Sequence, residues 1–236
     1  MHADHGHHTE ADRRWLEATW PFVRDHLPAP PSRVLDLGCG PLGGYVPQLR
    51  EAGYDAIGVD PEAPDGAHYR RVEFETVARN SRWDAIVAAT SLHHVADLDS
   101  VVEQIAQRLH PDGILVVLEW ARERFDEPTA TWCFERLADE HGWLNRHRDD
   151  WVASGQPWAA YLAGWAEPHR LHTGQSVVSA LAARFATDRL ERGPYFFPDL
   201  AGVTMADEQA AIDAGRISPN GIRYVGRVSG STPPPP

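Results

Sequence analysis

An acid, a run of glycines and a pair of histidines are the residues of this chain best suited to chemistry. In Val34-Leu35-Asp36-Leu37-Gly38-Cys39-Gly40-Pro41-Leu42-Gly43-Gly44-Tyr45 an apolar run carrying Asp36 opens into a glycine-rich bend, and a segment able to form a helix follows. Gly38 and Gly40 permit positive φ angles and let backbone N–H groups come close to a ligand. Phosphate-binding bends rely on a third evenly spaced glycine, but Leu42 stands there and the glycines slip to 43 and 44. Pro41 removes one more N–H donor. The bend therefore suits a ligand held through a carboxylate, an amine or a ribose better than a pyrophosphate. Asp60 closes the next apolar run, where a carboxylate can accept hydrogen bonds from both hydroxyls of a ribose or cap the turn before Pro61. Thr90, Ser91, Leu92, His93 and His94 leave a third apolar run, and imidazole exchanges protons near neutrality. Glu119-Trp120 ends a fourth; Glu119 can face a cavity or hold the junction to the next segment, and the second role is favoured.

These residues can act together only if their strand ends share one edge, and the order of elements provides for that. Apolar residues Trp15, Leu16, Thr19, Trp20 and Val23 recur at helical spacing within 11–27, and Pro28, Pro30 and Pro31 end that helix. Strands are expected at 33–37, 56–59, 69–72, 83–88 and 114–119. Helices are expected at 45–52, 75–80 and 98–109, the last stopping at His110-Pro111-Asp112-Gly113, a turn by composition. Strands separated by helices of this length form a parallel sheet covered on both faces. Residues 121–190 read as mostly helical and hold Trp132, Trp143, Trp151, Trp158 and Trp165. Such rings can wall a planar or apolar ligand, although most of them are expected to bind the added helices together. Two late strands, 193–197 and 221–228, are expected as an antiparallel pair at one sheet edge. The ends are read as a flexible leader (1–12) carrying His2, His5, His7 and His8, and a proline-rich tail (229–236).

Composition narrows the function further. With 42% hydrophobic and 24% charged residues the chain has the makeup of a globular protein, and a net charge of −12 argues against a nucleic-acid partner, whose footprint needs a basic face. Every basic residue apart from histidine is arginine, which reads as coding bias rather than function. Cys39 lies inside the glycine bend, where a disulfide to Cys133 would obstruct a ligand, so a reducing, cytoplasmic setting is expected. No apolar run approaches membrane-spanning length, so no membrane partner is expected. His141, His147, His169 and His172 lack the tight spacing of a metal set and read as scattered polar residues.

Taken in order, four features resemble the class I S-adenosylmethionine-dependent methyltransferases, in their small-molecule branch. They are the VLDLGCG bend, the acid of IGVDPE, the WDAIVAATSLHHV segment, and the RLHPDGILVVLEW turn and strand, spanning about residues 30–120. The resemblance implies an α/β fold: a Rossmann-like, doubly wound seven-stranded sheet, mostly parallel with an antiparallel last strand, and a helical insert after strand 5. It implies S-adenosyl-L-methionine as cofactor, a core at 13–120, a substrate or lid insert at 121–190 and completing strands at 191–228.

By the same resemblance Asp36, Gly38, Cys39, Gly40 and Tyr45 would surround the methionine portion, and Asp60-Pro61 the ribose. Glu73-Phe74 would lie near the adenine, and Thr90, Ser91 and Leu92 at the edge where the reactive methyl points. His93 holds the place where many O-methyltransferases carry a base, but His94 and Val95 replace the acid and tryptophan that usually follow, so His93 and His94 either take a proton or only shape the site. The reaction implied is methyl transfer, O-methylation favoured, to a small, partly apolar or aromatic acceptor, by a chain working alone or as a homodimer. Two rival readings are a cofactor-binding protein without methyl transfer, cyclase-type or regulatory, and a nicotinamide-dependent oxidoreductase, which the bend chemistry disfavours.

Overall fold

The computed structural model describes residues 9–77, 81–138 and 142–228. In chain order the elements are α1 Thr9–His26, β1 Arg33–Leu37, α2 Val46–Glu51, β2 Asp55–Val59, β3 Tyr69–Arg70, β4 Trp83–Ala89, α3 Leu98–Arg108, β5 Leu109–Trp120, α4 Glu127–Phe134, α5 Trp143–Ser154, α6 Trp158–Ala166, α7 Gly174–Ala182, β6 Phe185–Gly193, α8 Met205–Asp213 and β7 Gly221–Val228. The chain divides into two compact units. Of the described residues, a sheet unit comprises 19–77, 81–120, 172–191 and 222–228; a helical unit comprises 9–18, 121–138, 142–171 and 192–221.

The sheet has seven strands in the order β3-β2-β1-β4-β5-β7-β6. Strands β3, β2, β1, β4 and β5 pair in parallel. Antiparallel β7 lies between β5 and β6: Arg227 bonds Asp112 and Asp188, while at the other end Asn220 accepts from Ala121 and Gly221 abuts Pro194. The mostly parallel sheet expected from the alternation is therefore present, with its antiparallel strand one place in from the edge. Central strands β1, β4 and β5 are almost wholly buried, as in sheets covered on both faces.

Three local expectations need correction. The sixth strand is Phe185–Gly193, not 193–197. Its sequence, FATDRLERG, is charged because it forms the exposed edge of the sheet, where charge discourages further pairing. The apolar Tyr195-Phe196-Phe197 instead turns inward, and all three backbone N–H groups donate to the buried carboxylate of Glu208. At the start of β5, Trp83 pairs with Leu109 and Ala85 with Ile114, so His110–Gly113 bulges out of the ladder rather than forming a free turn. After β3, one short 3₁₀ turn, Phe74–Thr76, replaces the first part of the helix expected at 75–80, and residues 78–80 lie outside those described. The leader 1–8, His141 and the tail 229–236 lie outside them as well.

The helical unit is built around rings. Trp158 is fully buried, donates its indole N–H to the carbonyl of Phe125, and meets that ring edge-on at 4.9 Å. Arg14, on the part of α1 belonging to this unit, donates to the carbonyls of Phe197, Pro198, Leu200 and Val203. Those four bonds hold in place a segment with little regular structure of its own. His147 sits among Trp143, Trp158, Tyr161 and Trp165, and its Nδ1 lies 2.8 Å from the Tyr161 hydroxyl. Burial, with the charges of Arg146 and His169, pushes its imidazole down to about 4, so it stays neutral near pH 7.

Candidate functional site

Strand register brings the candidate residues to one edge. Leu37 pairs with Val59 and with Ala88, so the residues leaving β1, β2 and β4 emerge side by side at the carboxyl end of the sheet. Ligands of open α/β sheets bind in that place. The Gly38 N–H donates to the Val59 carbonyl at 2.8 Å, which fixes where the bend begins. Gly38 has φ +77°, and a Cβ on it would stand 2.3 Å from Ser91 Cβ, so only glycine lets β1 and β4 end this closely. Gly40, at φ +62°, would point a Cβ into open space, so its backbone is accessible to a ligand.

Asp36 is buried beneath the bend, and its Oδ2 accepts from the Tyr45 N–H at 2.6 Å. Burial drives its carboxyl up to about 7; the Tyr45 bond opposes the rise and the charge of Asp60 adds to it. Asp60 is only half-buried, and its Oδ1 accepts from the Glu62 N–H at 2.7 Å. Its Oδ2 has no hydrogen-bond partner among the described residues. Capping and ligand binding are therefore compatible roles for one carboxylate. Burial, then the charges of Asp36 and Asp60, push the Cys39 thiol up, so it stays protonated and unreactive. Both cysteines are free and buried.

Two candidates are committed elsewhere through their side chains. The Tyr45 ring is fully buried, with its hydroxyl 2.6 Å from Thr19 Oγ1 and its face stacked on Trp20, so it ties α1 to the bend. Phe74 is buried with the Arg108 guanidinium 4.3 Å from its ring centre. Any part Phe74 plays at a base edge falls to its backbone. Pro61 and Glu73 are both exposed.

The end of β4 is a strained, braced turn. Thr90 adopts φ +51°, a conformation a β-branched residue avoids, and its N–H donates to Leu118 at 2.7 Å. Buried Glu119, at the end of β5, holds the next residues. Its Oε1 accepts from the N–H groups of Leu92 (2.7 Å) and His93 (3.3 Å); its Oε2 accepts from Trp120 N–H at 2.9 Å and lies 2.6 Å from His93 Nδ1. Burial alone would raise this carboxyl, but the His93 ring and the donors around it outweigh burial and hold it below the usual carboxylate range. Glu119 is thus ionised near neutrality. An ionised carboxylate only accepts, so Nδ1 of His93 carries a proton in this pair.

His93 is buried and His94 exposed, with ring centres 4.0 Å apart. On the other side of the turn, His172 donates its backbone N–H to the His93 carbonyl (3.0 Å) and its Nε2 to the Val95 carbonyl (2.9 Å). The sequence suggests a junction role for Glu119 but not its partnership with His93. That partnership spans 26 residues, so no local spacing in the sequence signals it. His172 had no signal either, because its contacts are set by the placing of α7. Among the described residues no three metal-ligating side chains gather, and no helix is long and apolar enough to cross a membrane.

Comparison with known proteins agrees with this geometry. A family model described as "Methyltransferase domain" matches residues 6–150. The chain is 32% identical over 98 residues to the ubiquinone biosynthesis O-methyltransferase of Rhodopseudomonas palustris (strain TIE-1), covering 36% of this chain and 38% of that protein. It is 30% identical over 127 residues to the mitochondrial ubiquinone biosynthesis O-methyltransferase of Bos taurus, covering 41% and 34% respectively. The matched segments thus span well under half of these relatives. An S-adenosylmethionine-dependent methyltransferase from Mesorhizobium loti shares the fold, with a TM-score of 0.55 and 21% identity over 90% of this chain and 99% of that one.

Proposed function

Because this chain belongs to the methyltransferase-domain family, we propose that it binds S-adenosyl-L-methionine at the carboxyl edge of β1, β2 and β4 and transfers its methyl group to a small acceptor, an oxygen by preference. The observation that carries the reading is the row formed by Asp36, the open backbone of Gly40 and the spare Oδ2 of Asp60. That row fits the cofactor: a cationic amino-acid end near the buried acid, and a ribose diol on Asp60. When bound, S-adenosyl-L-methionine supplies a methyl group activated by its sulfonium.

The chain's residues do the rest. The backbone at Gly38 and Gly40 leaves room for the cofactor, and Asp60 accepts from the ribose hydroxyls. His93, its Nδ1 proton pinned by Glu119, offers Nε2 to take the proton of an acceptor hydroxyl as the oxygen is methylated. Glu119 keeps the ring in that tautomer and stabilises the imidazolium that results.

The test is incubation with labelled S-adenosyl-L-methionine and a panel of catechols, phenols and hydroxybenzoates, with product identified by mass. Expected is an O-methylated product whose rate His93→Ala lowers about 100-fold or more, with cofactor affinity kept. Equal rates in both forms would remove His93 as the base.

A further inference from the structure

We infer that Asp36 is a proton-linked counter-ion: it holds a proton in the free protein and gives it to solvent when a cationic ligand occupies the glycine bend. The inference rests on the proposed cofactor site and adds to it a defined change in protonation.

The geometry supplies the reason. Asp36 is 1% exposed, and Tyr45 N–H is its one hydrogen-bond donor among the described residues. The groups acting on Asp36 are an acid and a neutral donor, Asp60 and the Tyr45 N–H. Asp60 at the end of β2 adds negative charge; the Cys39 thiol in the bend, the Tyr45 hydroxyl on the α1 side and the Tyr69 hydroxyl beside β3 are all pushed up and stay neutral. The cations acting in this group are Arg223 of β7 and Arg50 of α2, which act on Tyr45 and on Tyr69 respectively, and neither is among the causes acting on Asp36. A buried carboxylate with one neutral donor and an acid for a neighbour is costly to ionise. Burial accordingly raises the Asp36 carboxyl to about 7.

A ligand bringing an ammonium or sulfonium supplies the missing positive charge. Asp36 then ionises, its O–H bond breaks, and the proton leaves to buffer; no other bond changes. Ligand binding is therefore tied to pH below neutrality. At pH 6 the free carboxyl is mostly protonated and the bound one ionised, so close to one proton is released per ligand. Affinity rises about ten-fold per pH unit between 5 and 6 and levels off above 7.

The sign for the free protein follows separately. An acid whose folded pKa lies above its unfolded value holds its proton in the folded state between the two. Its contribution to stability is present at about pH 4 and is lost as pH rises to about 7. Asp36→Asn keeps an acceptor for Tyr45 N–H and removes this dependence.

The experiment is calorimetric titration of the full chain with S-adenosyl-L-methionine at pH 6 in two buffers of different ionisation enthalpy. The α-amino group of the ligand is fully charged at that pH. Expected is a buffer-dependent heat corresponding to nearly one proton released, absent in Asp36→Asn. Binding with a heat that is the same in both buffers would overturn the inference and leave the cofactor site standing. No binding at all would overturn both. If Asp36→Asn fails to bind, melting of both ligand-free forms from pH 4 to pH 8 decides: equal slopes contradict the inference, and a flatter slope in the variant supports it.

Discussion

Replacing Glu119 by glutamine probes the part of the site on which proton transfer would depend. In the native protein one carboxylate accepts from three backbone N–H groups and from the His93 ring. A glutamine keeps one acceptor oxygen. If that oxygen serves Leu92 and His93, the new NH₂ faces the Trp120 N–H, leaving a buried donor without a partner, at about 1–3 kcal/mol. The charge assistance of the remaining bonds is also lost, about 1–2 kcal/mol more. The sum is about 2–5 kcal/mol, which for a chain of this size lowers Tm by roughly 4–20 °C. A chemical consequence accompanies this. The NH₂ donates to Nδ1 of His93, the ring adopts the other tautomer, and Nε2 carries hydrogen where a lone pair is needed. Turnover should fall about 10²-fold or more while S-adenosyl-L-methionine affinity changes little. Thermal melting followed by circular dichroism gives the first quantity, and ¹⁵N spectra of the His93 ring give the tautomer. A variant melting within 2 °C of the parent, with Nδ1 still protonated, would refute this reasoning.

Two further substitutions examine the frame around that pair. Gly38→Ala places a Cβ 2.3 Å from Ser91 Cβ at φ +77°, so the ends of β1 and β4 must separate; a loss of roughly 2–4 kcal/mol in denaturant unfolding is expected, and an unchanged midpoint would contradict the packing. His172→Ala removes the side-chain bond to the Val95 carbonyl, for about 1 kcal/mol, and His172→Gln should recover most of it; equal loss in both would show that the bond is not what holds the turn.

The glycine bend, Asp60 and the end of β4 could be read in the chain because each is local. A strand, its terminal acid or glycine and the following helix are specified within about ten residues. What stayed hidden depended on distant partners. The edge strand FATDRLERG carries charge because nothing pairs beyond it, so its sequence reads as surface, while the aromatic Tyr195-Phe196-Phe197 reads as strand although Glu208 folds it inward. Tyr45 was placed correctly beside the bend, but its ring is claimed by Thr19 and Trp20 of α1, which no spacing within the bend could reveal. Glu119 shows the same limit: its position at a strand end was plain, and its partner 26 residues earlier was not.

Calorimetric titration of the full chain and of Asp60→Ala with S-adenosyl-L-methionine and, separately, with NAD tests the proposed site most directly. The expected result is one cofactor bound per chain by the parent, at least ten-fold weaker binding by the variant through loss of charge-assisted bonds of about 1.5–3 kcal/mol, and no measurable affinity for NAD. Equal affinity in the two forms, or NAD bound in preference, would contradict it.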